Sequence, residues 1–147
     1  MVRAERNGLR GNHVIMLRRA VQATTACWQE RITELTPPQY TVLLALEAHP
    51  HASLTEVTAL TMIDSATLTP LVSRLVERGL LTRTTDPASA RRKLLGLTAE
   101  GAAVLKKVKP LARAAEKASL EVLSADEREQ LLALTTKVVD HRRGRPA

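Results

Sequence analysis

Apolar positions change their spacing in an ordered way along this chain, and the changes predict six helices and one hairpin. Val14, Leu17, Val21, Trp28, Ile32 and Leu35 recur at intervals of three, four and seven, which is one face of a long first helix over 12–35. Thr36-Pro37-Pro38-Gln39 then supplies a capping threonine, a proline at the first helical position and a glutamine three residues after the cap. A second helix is predicted over 37–48. Ser53-Leu54-Thr55-Glu56 repeats the capping logic and opens a third helix of about eight residues, stopped at Thr61-Met62-Ile63. Asp64 and Ser65 cap a fourth, which buries Leu68, Leu71, Val72, Leu75 and Val76 and closes at Gly79 in the left-handed conformation.

The spacing then shortens to that of strands. Residues 80–84 and 93–97 read as two short strands around the polar loop 85–92, TDPASARR, a hairpin with a basic tip. Thr98 caps a fifth helix over 98–119, in which Pro110 removes a backbone donor and is expected to bend or split the rod. Ser124-Ala125-Asp126-Glu127 caps a sixth, with Leu131, Leu134 and Val138 on one face. Residues 142–147 form a basic tail expected to be disordered. The fold class is therefore mostly α with a small two-stranded β wing, in one domain without internal repeats.

Composition sharpens this picture. The 147 residues suffice to bury a core without disulfides or metals, and the single cysteine, Cys27, suits a reducing cytoplasm. No apolar run reaches the length of a membrane span and residues 1–12 lack a secretory core, so no membrane partner is expected. A formal charge of +7 favours a polyanionic partner.

The third and fourth helices, joined by about three residues, have the layout of a helix-turn-helix. The polar face of the fourth is Ser65, Thr67, Thr69, Ser73 and Arg74. Small hydroxyl residues let a helix backbone approach base edges while offering hydrogen bonds, and Arg74 reaches for a phosphate. The hairpin adds Arg91, Arg92 and Lys93, placed where a loop meets a narrow, electronegative minor groove. Double-stranded DNA is the partner these features select.

Three blocks, LTPPQYTVLLAL (35–46), DSATLTPLVSRLVERGLLTR (64–83) and DPASARRKLLGLTAEG (86–101), resemble in order and spacing the hallmarks of the MarR-type winged-helix transcription regulators. The resemblance spans about residues 10–140. It implies a winged helix-turn-helix lobe over 36–97 and an intertwined homodimer built by helices within 10–35 and 98–141. It implies also a sequence-specific regulator, a repressor of palindromic operators released by a small molecule or an oxidant. Val14, Leu17, Val21, Leu131, Leu134 and Val138 are the expected dimer contacts, since those stripes have too few partners within one lobe. The family's wing usually carries an acidic residue two positions before its arginine, where this chain has Ser89 before Arg91. The departure supports a rival in which a winged-helix protein-interaction module has lost operator binding; the intact small polar face of the fourth helix argues against it.

Other residues carry weaker signals. DSATLTPL is especially similar to the peroxide-sensing branch of that family, whose reactive cysteine falls near Asn12 here, so Cys27 is expected to be a buried structural thiol. Trp28, Arg31 and Tyr40 are candidates to line the pocket of an unknown small-molecule effector. His49 and His51 flank Pro50 without a third ligand at matching spacing, so no metal or cofactor is expected. No phosphate loop, paired-carboxylate signature or nucleophile motif is present, and an enzyme is not expected.

Overall fold

The structure is a computed structural model and describes residues 9–143. After a short 3-10 turn at Leu9–Gly11, its helices are α1 (His13–Gln29), α2 (Pro37–Ala48), α3 (Leu54–Thr61), α4 (Ser65–Glu77), α5 (Ala99–Ser119) and α6 (Ala125–Arg143), with strands β1 (Leu81–Asp86) and β2 (Ser89–Leu97) between α4 and α5. The expected capping boxes form. Thr36 and Gln39 exchange side-chain and backbone bonds at the start of α2, Ser53 and Glu56 do so at α3, and Ser124 and Glu127 at α6. None of the helices described is long and apolar enough to cross a membrane.

The first helix is shorter than its apolar spacing predicts. Asn12 caps it by accepting from the backbone N–H groups of Val14 and Ile15 at 3.0 and 3.1 Å. It ends at Gln29 because the Trp28 indole N–H donates to the Leu35 carbonyl at 2.7 Å, which fastens residues 30–35 as a return turn. Ile32 and Leu35 are buried as expected, but from a turn. Pro110 does not split α5; it and Lys106, whose carbonyl it leaves without a helical donor, both lie on the exposed face. Arg142 and Arg143 belong to the last turn of α6 instead of a disordered tail, and the Arg143 guanidinium donates to the Leu60 carbonyl at 2.8 Å. Residues 144–147 lie outside the described residues.

The core of the lobe joins Leu43 and Leu46 of α2, Val57 of α3, Leu68, Val72 and Leu75 of α4, Leu81 and Leu95 of the hairpin, and Leu105 and Val108 of α5, all fully buried. The hairpin is antiparallel, with Leu81 opposite Leu97 and Thr85 opposite Lys93. It is stitched to the start of α3 by a backbone bond from Leu95 N–H to the Ala52 carbonyl at 2.9 Å and a bridge between Ser53 and Leu94.

Gly79 ends α4 at φ +71°, in the left-handed region as expected. The next joint is tighter. Thr98, the cap of α5, donates its hydroxyl to the Gly79 carbonyl at 2.7 Å and its backbone N–H to the Leu80 carbonyl at 3.1 Å. This presses Gly101 against Leu80, the residue before β1: a β-carbon there would lie 2.1 Å from the Leu80 carbonyl oxygen. Gly101→Ala is therefore expected to lose roughly 1–3 kcal/mol by forcing backbone apart. Gly79→Ala, which meets no atom within 4 Å, should lose only roughly 1–2 kcal/mol from its left-handed φ. Urea unfolding of the two variants tests the assignment; a neutral Gly101→Ala would show that the joint is loose.

Candidate nucleic-acid interface

The turn between α3 and α4 is three residues long, and its geometry fixes how α4 is presented. Met62 closes α3 in the left-handed conformation at φ 60°. Asp64 then caps α4, accepting from the Thr67 backbone N–H at 2.9 Å and from its hydroxyl at 2.8 Å. Those bonds, the backbone one first, hold the Asp64 carboxyl below the usual carboxylate range. With Leu68, Val72 and Leu75 committed to the core, Ser65, Thr67, Thr69 and Arg74 are exposed and Ser73 half-buried on the opposite side. The Thr69 hydroxyl donates to the Ser65 carbonyl at 2.8 Å. Both threonine hydroxyls thus spend their proton within the helix and present lone pairs outward, which suits donors on a base edge.

The wing differs from its sequence-based outline. The strands extend through most of the expected loop, leaving Pro87 and Ala88 as the turn, so Arg91 and Arg92 stand on β2 and not at a tip. Pairing jumps from Thr85–Lys93 to Asp86–Ser89, so Ala90, Arg91 and Arg92 bulge from the ladder. A bulge re-aims side chains that would otherwise alternate. Asp86 fixes the turn by accepting from the Ala88 backbone N–H at 2.9 Å.

The wing cations fare differently. Arg92 Nη2 donates to both Glu56 oxygens at 3.0 Å, and its Nη1 lies 3.6 Å from Asp86. Lys93 Nζ donates to the Thr85 hydroxyl at 2.7 Å. Arg83 and Arg91 form no ion pair among the described residues. Ser89 brings no carboxylate to the wing arginines; Arg92 takes its carboxylates from Glu56 of α3 and from Asp86. The Glu56 carboxylate also accepts from the Ser53 backbone N–H; that bond first, then the neighbouring Ser53 hydroxyl and Arg92, pull the carboxyl down to about 2.

Together these elements line a cleft of about 480 Å³ formed by Ser53, Leu54 and Thr55 at the start of α3, Thr69 of α4, and Arg83, Arg91, Arg92, Lys93 and Leu95 of the wing. The fold thus gathers Thr69 with all three predicted wing cations. Arg83 is an addition that sequence reasoning missed, because one arginine in a strand has no pattern of its own.

A second concavity lies away from this face. Trp28 and Tyr40, with ring centroids 5.1 Å apart, border a cavity of about 330 Å³ between α1, α2 and α5. Burial pushes the Tyr40 phenol up, opposed by Lys109 and Arg113, so it remains a proton donor at neutral pH. Arg31, expected here, is absent from the lining: it pairs with Glu30 and donates to the Cys27 carbonyl. Helix α1 ends at Gln29, so Arg31 lies in the return turn and not one helical turn beyond Trp28. Arg113 of α5 lines the cavity instead, together with Glu116. Cys27 is half-buried, not the buried thiol expected, and does not line this cavity. His49 and His51 are exposed, and among the described residues no group of three or more His, Cys, Asp or Glu is placed to hold a metal ion.

Residues 33–92 match the profile of the MarR family. The chain is 34% identical over 132 residues to the transcriptional regulator HosA of Escherichia coli, covering 90% of this chain and 98% of HosA. It is 36% identical to the transcriptional repressor NicR of Pseudomonas putida over 85% of this chain and 80% of NicR. Among solved structures it resembles Bordetella bronchiseptica BpsR, whose DNA binding is regulated by 6-hydroxynicotinic acid, with a TM-score of 0.78 and 35% identity over 84% of this chain and 95% of that one.

Proposed function

The chain belongs to the MarR family of DNA-binding transcription regulators, and from that premise we propose that it is a homodimeric repressor of palindromic operators, released by a small aromatic acid. The observation that carries this function is the meeting at one cleft of Thr69, from an α4 face built of small hydroxyl residues, with a bulged, cationic wing; Ser65, Thr67, Ser73 and Arg74 lie on the same helix outside that cleft. Residues 36–97 would read the operator. In this assignment Ser65, Thr67, Thr69 and Ser73 face the major groove, Arg74 a phosphate, and Arg91 and Lys93 the wing's side of the duplex.

The occupant of the remaining apolar surface is a second copy of the chain. Val14, Leu17 and Val21 of α1 and Leu131, Leu134 and Val138 of α6 are between 37% and 62% exposed, and α6 buries no side chain among the described residues. A helix of this amphipathic composition associates to bury its stripe. The two ends of the chain, 10–35 and 98–141, would then hold the dimer and set the spacing of the two lobes on half-sites one helical turn apart.

For the effector, the cavity beside Trp28 and Tyr40 offers two rings for stacking, a phenolic donor, and the Arg113 guanidinium for a carboxylate. The small aromatic acid that regulates BpsR has this chemistry. Oxidation receives less support, since Cys27 lies outside both the cavity and the cleft.

Three measurements test these assignments. Against DNA from around its own promoter, the wild type should bind more tightly than to random DNA. Arg91→Ala should weaken both and lower the salt slope by about 0.9, one phosphate's worth, whereas a bulky residue at Thr67 or Thr69 should erode discrimination by roughly 1–3 kcal/mol. Absence of operator preference in the wild type would sink the proposal. In light scattering the protein should be a dimer at low micromolar concentration, and Leu134→Glu combined with Val138→Glu should give monomers. Finally, the fluorescence of Trp28, the single tryptophan, should respond saturably to 6-hydroxynicotinic acid or another hydroxylated aromatic carboxylate while operator DNA is released. Arg113→Ala should abolish that response, and a response indifferent to Arg113 would remove the carboxylate contact.

A further inference from the structure

We propose that Arg92 is a positioning residue and not a DNA contact, and that with Glu56 it forms a latch between the start of α3 and the wing that sets where Arg91 points. The latch rests on the DNA-binding function above and assigns a role within it to an acidic side chain, Glu56, lying beside the surface that meets a polyanion.

The argument begins with a comparison of two capping boxes. At α2 the residue three after the cap is Gln39, whose neutral side-chain oxygen accepts from the Thr36 backbone N–H at 3.0 Å. At α3 the same task falls to Glu56, accepting from Ser53 N–H at 2.6 Å. A glutamine suffices for the cap, so the negative charge at position 56 is not required by the helix. What the charge does have is a partner 36 residues away: Arg92 Nη2 sits 3.0 Å from both carboxylate oxygens. A carboxylate beside a DNA-facing cleft repels phosphate and lowers affinity unless it does something else.

The wing supplies what it does. Ala90, Arg91 and Arg92 bulge from the hairpin ladder, so the backbone bonds that hold β1 to β2 do not fix their direction. Arg92 is tied on one side to Glu56 and on the other approaches Asp86, the residue that pins the turn. With Arg92 held at one end of the bulge and the Asp86–Ser89 pair closing the other, the intervening Arg91 is directed to the cleft that Thr69 borders. Half-exposed ion pairs contribute little to global stability. Their use here is geometric: a pre-set arginine loses less freedom on meeting a groove than one on a loose strand.

The latch makes a prediction of opposite sign to simple electrostatics. Removing a negative charge beside DNA should strengthen binding; Glu56→Gln, which keeps the α3 cap, should instead weaken operator binding roughly fivefold or more. Arg92→Ala should weaken it comparably, and the double variant should bind no worse than Arg92→Ala alone, since both lose one interaction. The salt slope should fall by about one for Arg91→Ala and by much less for Arg92→Ala. In the DNA-free protein, hydrogen exchange at the wing amides of residues 85–93 should quicken in both Glu56→Gln and Arg92→Ala, with the circular dichroism of the folded protein retained. Tighter binding by Glu56→Gln, or an Arg92→Ala slope equal to that of Arg91→Ala, would make Arg92 a phosphate contact and overturn the latch. Unchanged wing exchange in both variants would overturn it without reference to DNA, and so separately from any failure of the wild type to bind an operator.

Discussion

Helix α5 enters the lobe across a contact that admits no side chain. Gly101 lies so close to Leu80, just before β1, that even a methyl group would collide with its carbonyl, while Thr98 bonds to the Gly79 and Leu80 carbonyls. The end of α4, the start of β1 and the start of α5 are thereby locked into one junction. Because packed junctions shift as units and do not deform gradually, the orientation of α5 and that of the wing are not independent. The helix that leaves the lobe toward the proposed dimer arm is mechanically continuous with the hairpin that faces the cleft.

A second strap runs from α4 to the aromatic cavity. Arg78, which ends α4, donates to the Glu34 carbonyl at 2.8 Å, and the Glu34 carboxylate pairs with Lys107 of α5. The bond to Lys107 is the main reason that the Glu34 carboxyl titrates below its usual range. Glu34 lies in the return turn that Trp28 fastens through the Leu35 carbonyl. Side chains beside the proposed effector cavity are therefore one turn of chain from the residue that anchors α4. A ligand that moves Trp28 acts on a segment already bonded to both α4 and α5, which is a short physical route between the two concavities.

Charge is divided with similar economy. Of the cations on the hairpin, Arg92 is consumed by Glu56 and Asp86 and Lys93 is held by Thr85, leaving Arg83 and Arg91 without ion pairs among the described residues. Net charge alone would treat all four as equivalent attractors of phosphate. The arrangement instead ties Arg92 to carboxylates and leaves Arg83, Arg91 and Lys93 without a carboxylate partner among the described residues, beside Thr69 of the α4 polar face.

Much of this was legible in the residues themselves because its causes are local. Three capping boxes, the Gly79 stop and the buried stripe of α4 depend on neighbours within four positions, so helices α2, α3 and α4 and the small polar face follow directly from the sequence, as does the presence of a basic hairpin. Where sequence reading erred, distant contacts had intervened. The first helix stops at Gln29 because Trp28 finds the Leu35 carbonyl; that turn moves Arg31 away from the cavity and leaves the place to Arg113, eighty-odd positions on in a helix whose spacing says nothing of what it will face. Likewise the sequence shows Ser89 where an acidic residue is usual, but that Arg92 takes its carboxylates from Glu56 and Asp86 is decided by a bulge and by the packing of the hairpin on α3. Periodicity encodes which face of an element is buried; which side chains meet across the fold is fixed only when the elements pack.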